Sequence, residues 1–202
     1  MACVLDIVMA GTETTSITLQ WAALLMAKHL SVQGLVQEEL DRVLGRSRLP
    51  RPEDQGSLPY TNAVVHEVQR FVNPLPHVPR CTTADTRLCG YLFPKGTPVI
   101  PLLSSVLLDK TQWETPHQFN PGHFLDANGH FVKRAAFLPF STGRRVCAGE
   151  SLARTTLFLL FTGLLQSFRL LPLPGLDTTP VPAFTQRPPA QALFAVPRPQ
   201  GH

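Results

Sequence analysis

Apolar positions dominate residues 1–27, where Asp6 and Glu13 are the only charged side chains and no Lys or Arg precedes Lys28. A signal peptide carries a basic leading region, and a membrane span needs about 20 nearly uncharged residues. Neither pattern is met, so 2–29 is predicted as one long buried helix with Trp21, Leu24, Leu25 and the alanines on packed faces. Positions 32–44 follow an amphipathic period that turns Glu38, Glu39, Asp41 and Arg42 toward water. The Arg- and Pro-rich stretch 45–56 reads as a loop. A third helix is predicted over 57–71, capped by Ser57 with Pro59 in its first turn. Pro74, Pro76 and Pro79 forbid its continuation.

Farther along, 87–93 and 97–101 have strand character and flank a Pro94-Lys95-Gly96 turn. A short helix is predicted near 104–109, and 112–136 is mostly irregular. A strong apolar helix covers 149–168; its uncharged core, 155–165, is too short to span a bilayer. Eight of the 20 prolines lie after position 171, which leaves room there only for short strands, near 168–173 and 191–196. No internal repeat is present. The expected fold class is mainly α with a minor β component.

Composition narrows the function classes. With 44% hydrophobic residues the chain can bury a core, and 16% charged residues, against about 25% in a typical domain, excludes a charge-driven disordered chain. The net charge of +4 comes from 14 Arg and 4 Lys against 14 acids, without a basic stripe interleaved with aromatics. Nucleic acid is therefore a poor partner, while an acidic protein or membrane surface stays open. Cys3, Cys81, Cys89 and Cys147 have no C-x-x-C spacing, which argues against a zinc site and a disulfide scaffold and for reduced thiols facing the cytosol.

Several segments concentrate chemistry. In Phe140-Ser141-Thr142-Gly143-Arg144-Arg145-Val146-Cys147-Ala148-Gly149 a single Cys lies in a glycine-flanked loop before a helix. Two arginines and a helix N-terminus favour its thiolate, a nucleophile or metal ligand. Gly143 and Gly149 let the backbone approach a flat partner, and backbone N–H groups can bond the sulfur. The alternative is a buried cysteine acting as a small hydrophobe. Ala10-Gly11-Thr12-Glu13-Thr14-Thr15 places poor helix formers inside the first helix, as a site or as a back-bonded, exposed patch. His66-Glu67-Val68-Gln69-Arg70 begins like an H-E-x-x-H zinc motif, but Arg70 replaces the second ligand. Glu67 and Arg70 stand i,i+3, where an ion pair is natural. Between 133 and 154, Lys133, Arg134, Arg144, Arg145 and Arg154 face one acid, Glu150, as a solvated face or a docking surface.

Together, and in their order along the chain, these segments resemble the cytochromes P450. The Phe140–Gly149 string matches their F-x-x-G-x-R-x-C-x-G haem signature at every fixed position. The resemblance implies haem b (iron protoporphyrin IX) with the Cys147 thiolate as axial iron ligand, a ligation that favours O–O cleavage. Phe140, Gly143 and Gly149 frame that ligand. Arg145 and His77, the latter in Pro76-His77-Val78-Pro79-Arg80, would bind the propionates, with Arg80 a secondary candidate. Residues 10–15 resemble the family's A-G-x-[DE]-T, where the helix is distorted over the haem. By that carry-over Thr14 hydrogen-bonds iron-bound oxygen and Glu13 helps deliver protons, while Ala10 and Gly11 leave room for oxygen and substrate. Glu67 and Arg70 match E-x-x-R, which locks with the basic residue of P-x-[RH]-F. That residue is His123 in Pro121-Gly122-His123-Phe124, so Glu67, Arg70 and His123 would form a structural clamp. Val72, Leu75 and Phe184 would touch substrate; Asn73 and Pro74 are unusual in such a place. Lys133, Arg134 and Arg144 would dock an NADPH-cytochrome P450 reductase and cytochrome b5.

The wording is similar to vertebrate microsomal family 2, nearest its subfamily W, which implies the cytosolic face of the endoplasmic reticulum membrane. The resemblance maps onto the C-terminal part of a P450, somewhat under half, as one incomplete domain over 1–202. A membrane anchor and the family's W-x-x-x-R are expected upstream, since Leu25 and His117 stand four residues after Trp21 and Trp113. Two functions follow. One is a haem-thiolate monooxygenase acting on a lipophilic xenobiotic, fatty acid or retinoid-like molecule. The other is a truncated, non-catalytic product that binds haem weakly or not at all.

Overall fold

The computed structural model describes residues 2–181 and 183–199. Helix α1 (Ala2–Lys28) is a single α-helix whose halves differ. Ile17, Trp21, Leu24, Leu25 and Met26 are buried, whereas Val4, Leu5, Ile7, Val8 and Met9 are 57–70% exposed. The expected buried helix is therefore realised only in its second half. Its composition is apolar all round, so neighbours decide burial, and α1 meets the other elements of the core from Ile17 onward.

Helix α2 (Leu30–Val43) turns back immediately and is tied down by Gln33, which donates to Met26 O and Leu170 O and accepts from Leu170 N. Glu39, expected in water, is buried. Its carboxylate accepts Tyr60 N–H at 3.0 Å, Thr61 N–H at 2.7 Å and the Thr61 hydroxyl at 2.7 Å. This also corrects the expected Ser57 cap on α3 (Pro59–Val72). Ser57 ends a short 3₁₀ turn, Pro52–Ser57, and the N-cap position falls to Leu58, which has no side-chain bond to offer. Leu58 is wholly buried, and the free N–H groups of the first turn point at α2, where Glu39 meets both the donors and the helix dipole.

Every residue of α3 from Thr61 to Arg70 is buried. It joins the larger core, built from α1, α2 and the last helix, to a smaller one of Ala63, Leu107, Trp113, Phe124 and Phe137. The helix stops at Asn73, whose φ of 38° is left-handed. Asn tolerates that conformation better than an apolar side chain would, which accounts for its place there.

Among the described residues the strands form three antiparallel pairs. β1 (Arg80–Cys81) pairs with β4 (Pro98–Val99), and β2 (Thr86–Leu88) with β3 (Tyr91–Phe93). The expected Pro94-Lys95-Gly96 turn is present between β3 and β4, closed by Thr97 N–H to Pro94 O at 3.2 Å, and a second turn, Cys89-Gly90 with φ of 50° and 85°, joins β2 to β3. Two successive positive φ values suit the twist of a two-residue hairpin, so the stretch predicted as one strand breaks there. Helix α4 (Leu103–Leu107) precedes a long irregular region that contains the 3₁₀ turns Pro121–Phe124 and Gly143–Arg145. Helix α5 (Glu150–Ser167) runs into β5 (Phe168–Pro172), which pairs with β6 (Leu193–Pro197). The architecture is helix-dominated with small sheets, as the sequence predicts. Among the described residues no helix is long and apolar enough to cross a membrane.

Candidate functional site

The structure brings Glu67, Arg70 and His123 together at the centre of the smaller core, with side chains 0–1% exposed. The Arg70 guanidinium has five N–H groups, and all are met. Nε and Nη2 each reach Glu67 at 2.7 Å, Nη2 also reaches Gln118 O at 3.0 Å, and Nη1 reaches Leu107 O and Pro116 O, both at 2.9 Å. Glu67 Oε1 also accepts Asn120 N–H at 2.8 Å. His123 Nε2 accepts the Thr115 N–H at 3.2 Å, so Nδ1 carries the proton and donates to Glu67 Oε2 at 3.2 Å. One helix, α3, is thereby fastened to the segment 107–123.

The Phe140–Gly149 loop lies at the entry to α5. Cys147 is exposed, as are Gly143, Arg144, Arg145 and Gly149, so the thiol is no buried hydrophobe. Ser141 and Gly143 hold positive φ, 65° and 76°, and wind the loop tightly. Cys147 N–H donates to Phe140 O at 3.0 Å, and Cys147 O accepts from Glu150 N at 3.3 Å. A Cβ at Gly143 would meet nothing within 4 Å, and one at Gly149 would approach the Cys147 sulfur at 3.9 Å. Arg80 reaches this loop, donating to Arg145 O at 3.4 Å. Behind the loop a recess of about 600 Å³ is lined by Cys147, His66, Phe131, Lys133, Phe137 and Arg154.

The Ala10–Thr15 segment, exposed over 10–13 and half-buried at Thr14 and Thr15, belongs to an unbroken helix, so the expected distortion does not interrupt it. Thr14 is half-buried and its hydroxyl donates to Ala10 O at 2.9 Å, the back-bonded arrangement open to such a residue. Gly11 has open space around it. Glu13 pairs with Arg187 and accepts from the Thr185 hydroxyl at 3.1 Å. The Arg187 hydrogen bond, and then that of Thr185, hold the Glu13 carboxyl below the usual carboxylate range. No hydrogen bond among the described residues joins this segment to the Cys147 loop.

His77 and Phe184 come together, rings edge to face at 5.5 Å, with Phe184 60% exposed. Gln186, two residues on, donates to Pro74 O at 2.9 Å and its carbonyl accepts the Trp21 indole N–H at 2.9 Å. The late loop thus touches both α1 and the exit of α3. Leu75 is half-buried, but Val72 is a correction: it lies in the larger core, because the last turn of α3 points inward before Asn73 reverses the chain. Of the basic residues, Lys133 and Arg144 are exposed. Arg134 is committed elsewhere, bonded to Gln112 O at 2.7 Å and Glu114 at 3.3 Å, with its guanidinium over Trp113.

The family model for cytochrome P450 matches residues 1–194. Cytochrome P450 2W1 of Homo sapiens is 76% identical over 98% of this chain and 42% of its own length, and its Mus musculus counterpart is 72% identical over 98% and 41%. Cytochrome P450 2K6 of Danio rerio is 56% identical over 94% of this chain and 38% of its own. The chain belongs to the cytochrome P450 family. It spans about two fifths of the length of these curated relatives. The residues present fit the haem that the P450 family implies. The one thiol of the signature is accessible, its own N–H is turned away to Phe140 O, and the glycine-lined face of the loop is open.

Sequence reasoning missed three contributors. His66 reads as the first half of a failed zinc motif and Arg154 as one basic residue among several, yet they contact each other at 2.9 Å. Arg187 stands 174 positions from Glu13, and nothing in the sequence links them.

Proposed function

We propose that this chain supplies the haem-thiolate part of a monooxygenase that inserts one oxygen atom of O₂ into a lipophilic small molecule. The observation that carries this reading is the exposed Cys147 thiol at the start of α5, in a loop wound by Ser141 and Gly143. When bound, the haem supplies oxygen activation, with its iron on the Cys147 thiolate. The chain's own residues do the rest. Arg145, His77 and the loop-bonded Arg80 present basic groups to propionates. Thr14, whose hydroxyl can leave Ala10 O, would supply a hydrogen-bond donor, and the Glu13 carboxylate, paired with Arg187, would take up a proton and hand it on. Phe184 against His77, with Leu75 nearby, forms the apolar edge for a xenobiotic, fatty acid or retinoid-like substrate. The Glu67–Arg70–His123 clamp fixes the 107–123 segment that leads toward the ligand loop.

Lys133 and Arg144 are the exposed cations for an acidic flavoprotein reductase or cytochrome b5, with Arg134 contributing through field only. The kinship with cytochromes P450 of family 2 supports the cytosolic face of the endoplasmic reticulum. The test is the reduced carbon-monoxide difference spectrum of the 202-residue chain with haem supplied. A red-shifted Soret band that Cys147→Ser abolishes is the expected result; a band unchanged in that variant overturns the assignment. A second reading, a non-catalytic chain that binds haem weakly or not at all, is favoured by the exposed Val4–Met9 face beside Ala10–Thr15. A weak or absent red-shifted band, with no NADPH-dependent oxidation in the presence of reductase, would select it.

A further inference from the structure

We propose that His66 and Arg154 are positioning residues for Cys147, forming a relay that fixes the ligand loop to the buried helix α3. The inference rests on the reading of Cys147 as the haem ligand, although its geometry stands without haem.

The relay starts inside the protein. His66 is 4% exposed, and Phe124, Phe131 and Phe137 surround its ring at 4.7–5.5 Å. Arg154 Nη1 lies 2.9 Å from His66 Nε2. A guanidinium only donates, so Nε2 must accept, and the ring proton sits on Nδ1, which donates to Asn62 O at 2.8 Å. Both ring nitrogens are thus spent in one orientation. Burial, reinforced by the charges of Arg154 and Lys133, pushes His66 down to about 4, so the ring is a neutral acceptor near neutral pH.

Arg154 carries the constraint outward. Its Nε and Nη2 hold Glu150 at 2.9 and 2.7 Å, which pins the first turn of α5. Its guanidinium also lies over the rings of Phe137 and Phe140, at 5.5 and 5.4 Å. Phe140 is the residue whose carbonyl accepts the Cys147 N–H, and Cys147 O in turn accepts from Glu150 N. Arg154 therefore grips both residues that bond the Cys147 backbone. The fork of a guanidinium is needed: an ammonium cannot contact His66, Glu150 and two rings together.

The test reads the thiol directly. Iodoacetamide alkylation of the chain is followed by peptide mass spectrometry, with exposed Cys81 and Cys89 as internal controls. His66→Leu and Arg154→Lys are expected to change the Cys147 rate at least threefold while the controls stay constant. His66→Gln, which keeps an acceptor facing Arg154, should stay within twofold of the parent. If His66→Leu does not fold, Arg154→Lys and His66→Gln decide the matter. Unchanged Cys147 rates in Arg154→Lys, or equal changes at all three cysteines, would overturn the relay. The labelling needs no haem, so a failed carbon-monoxide spectrum would remove the ligand reading while leaving these rates to judge the coupling.

Discussion

The Glu67–Arg70–His123 clamp and the Cys147 loop both gather charged side chains and treat them oppositely. In the clamp all five guanidinium donors are met within 3.0 Å, and the side chains are sealed from water. In the loop the thiol, Arg144 and Arg145 are exposed, and order comes from backbone bonds and one guanidinium gripping from behind. A saturated buried cluster has no capacity left for a ligand, so its contribution is to rigidity. An exposed group on a rigidly held backbone keeps its bonding capacity, and that is where chemistry can be placed.

The contrast can be broken first at the clamp. Glu67→Ala strands a buried guanidinium, and the expected loss is about 3–5 kcal/mol, read from urea unfolding. Equal loss from Arg144→Ala, which is expected to be neutral, would erase the distinction. Next in size is the pH response of His66. Its folded value near 4 lies below the ordinary 6.5, so its contribution is complete above 6.5, falls as the pH drops, and is gone below about 4. The expected loss is roughly 3 kcal/mol. His66→Gln, which cannot titrate, should flatten that part of the stability profile; an unchanged slope would mean that other groups set it.

Glu39→Ala removes the side chain that caps α3 and should cost about 1–2 kcal/mol in unfolding free energy. It sharpens the comparison, because it loosens the same helix without touching either constellation. The smallest effect belongs to Arg187→Ala. Its pair with Glu13 is exposed, so the unfolding midpoint should not move measurably. The Glu13 carboxyl titration, followed by NMR, should rise toward its ordinary value. A Glu13 titration unchanged in that variant would disprove the pairing.

Much of this was legible in order of residues. The long helices, the late β5–β6 pair and the ligand loop follow from hydrophobic runs, proline placement and a ten-residue signature, all local signals. Less was legible wherever a side chain serves a distant element. Glu39 reads as a water-facing acid on an amphipathic helix, yet it caps a helix 20 residues on. The exposed half of α1 looks as apolar as the buried half, and Val72 looks like a pocket residue until the direction of its turn is known. His66 lost its meaning together with the incomplete zinc motif.

By itself the sequence determined which backbone segments form and that Cys147 stands in a glycine-flanked loop ahead of a helix, because helix period, proline and glycine act over a few residues. Only the tertiary structure decided which charges are sealed and which are free. Glu67 met Arg70 within one helix turn, but their burial required residues 107–123 to fold over them, and Arg154 found His66 only because α5 lies against α3. Burial and hydrogen-bond saturation depend on what arrives from elsewhere in the chain, and no local pattern encodes that.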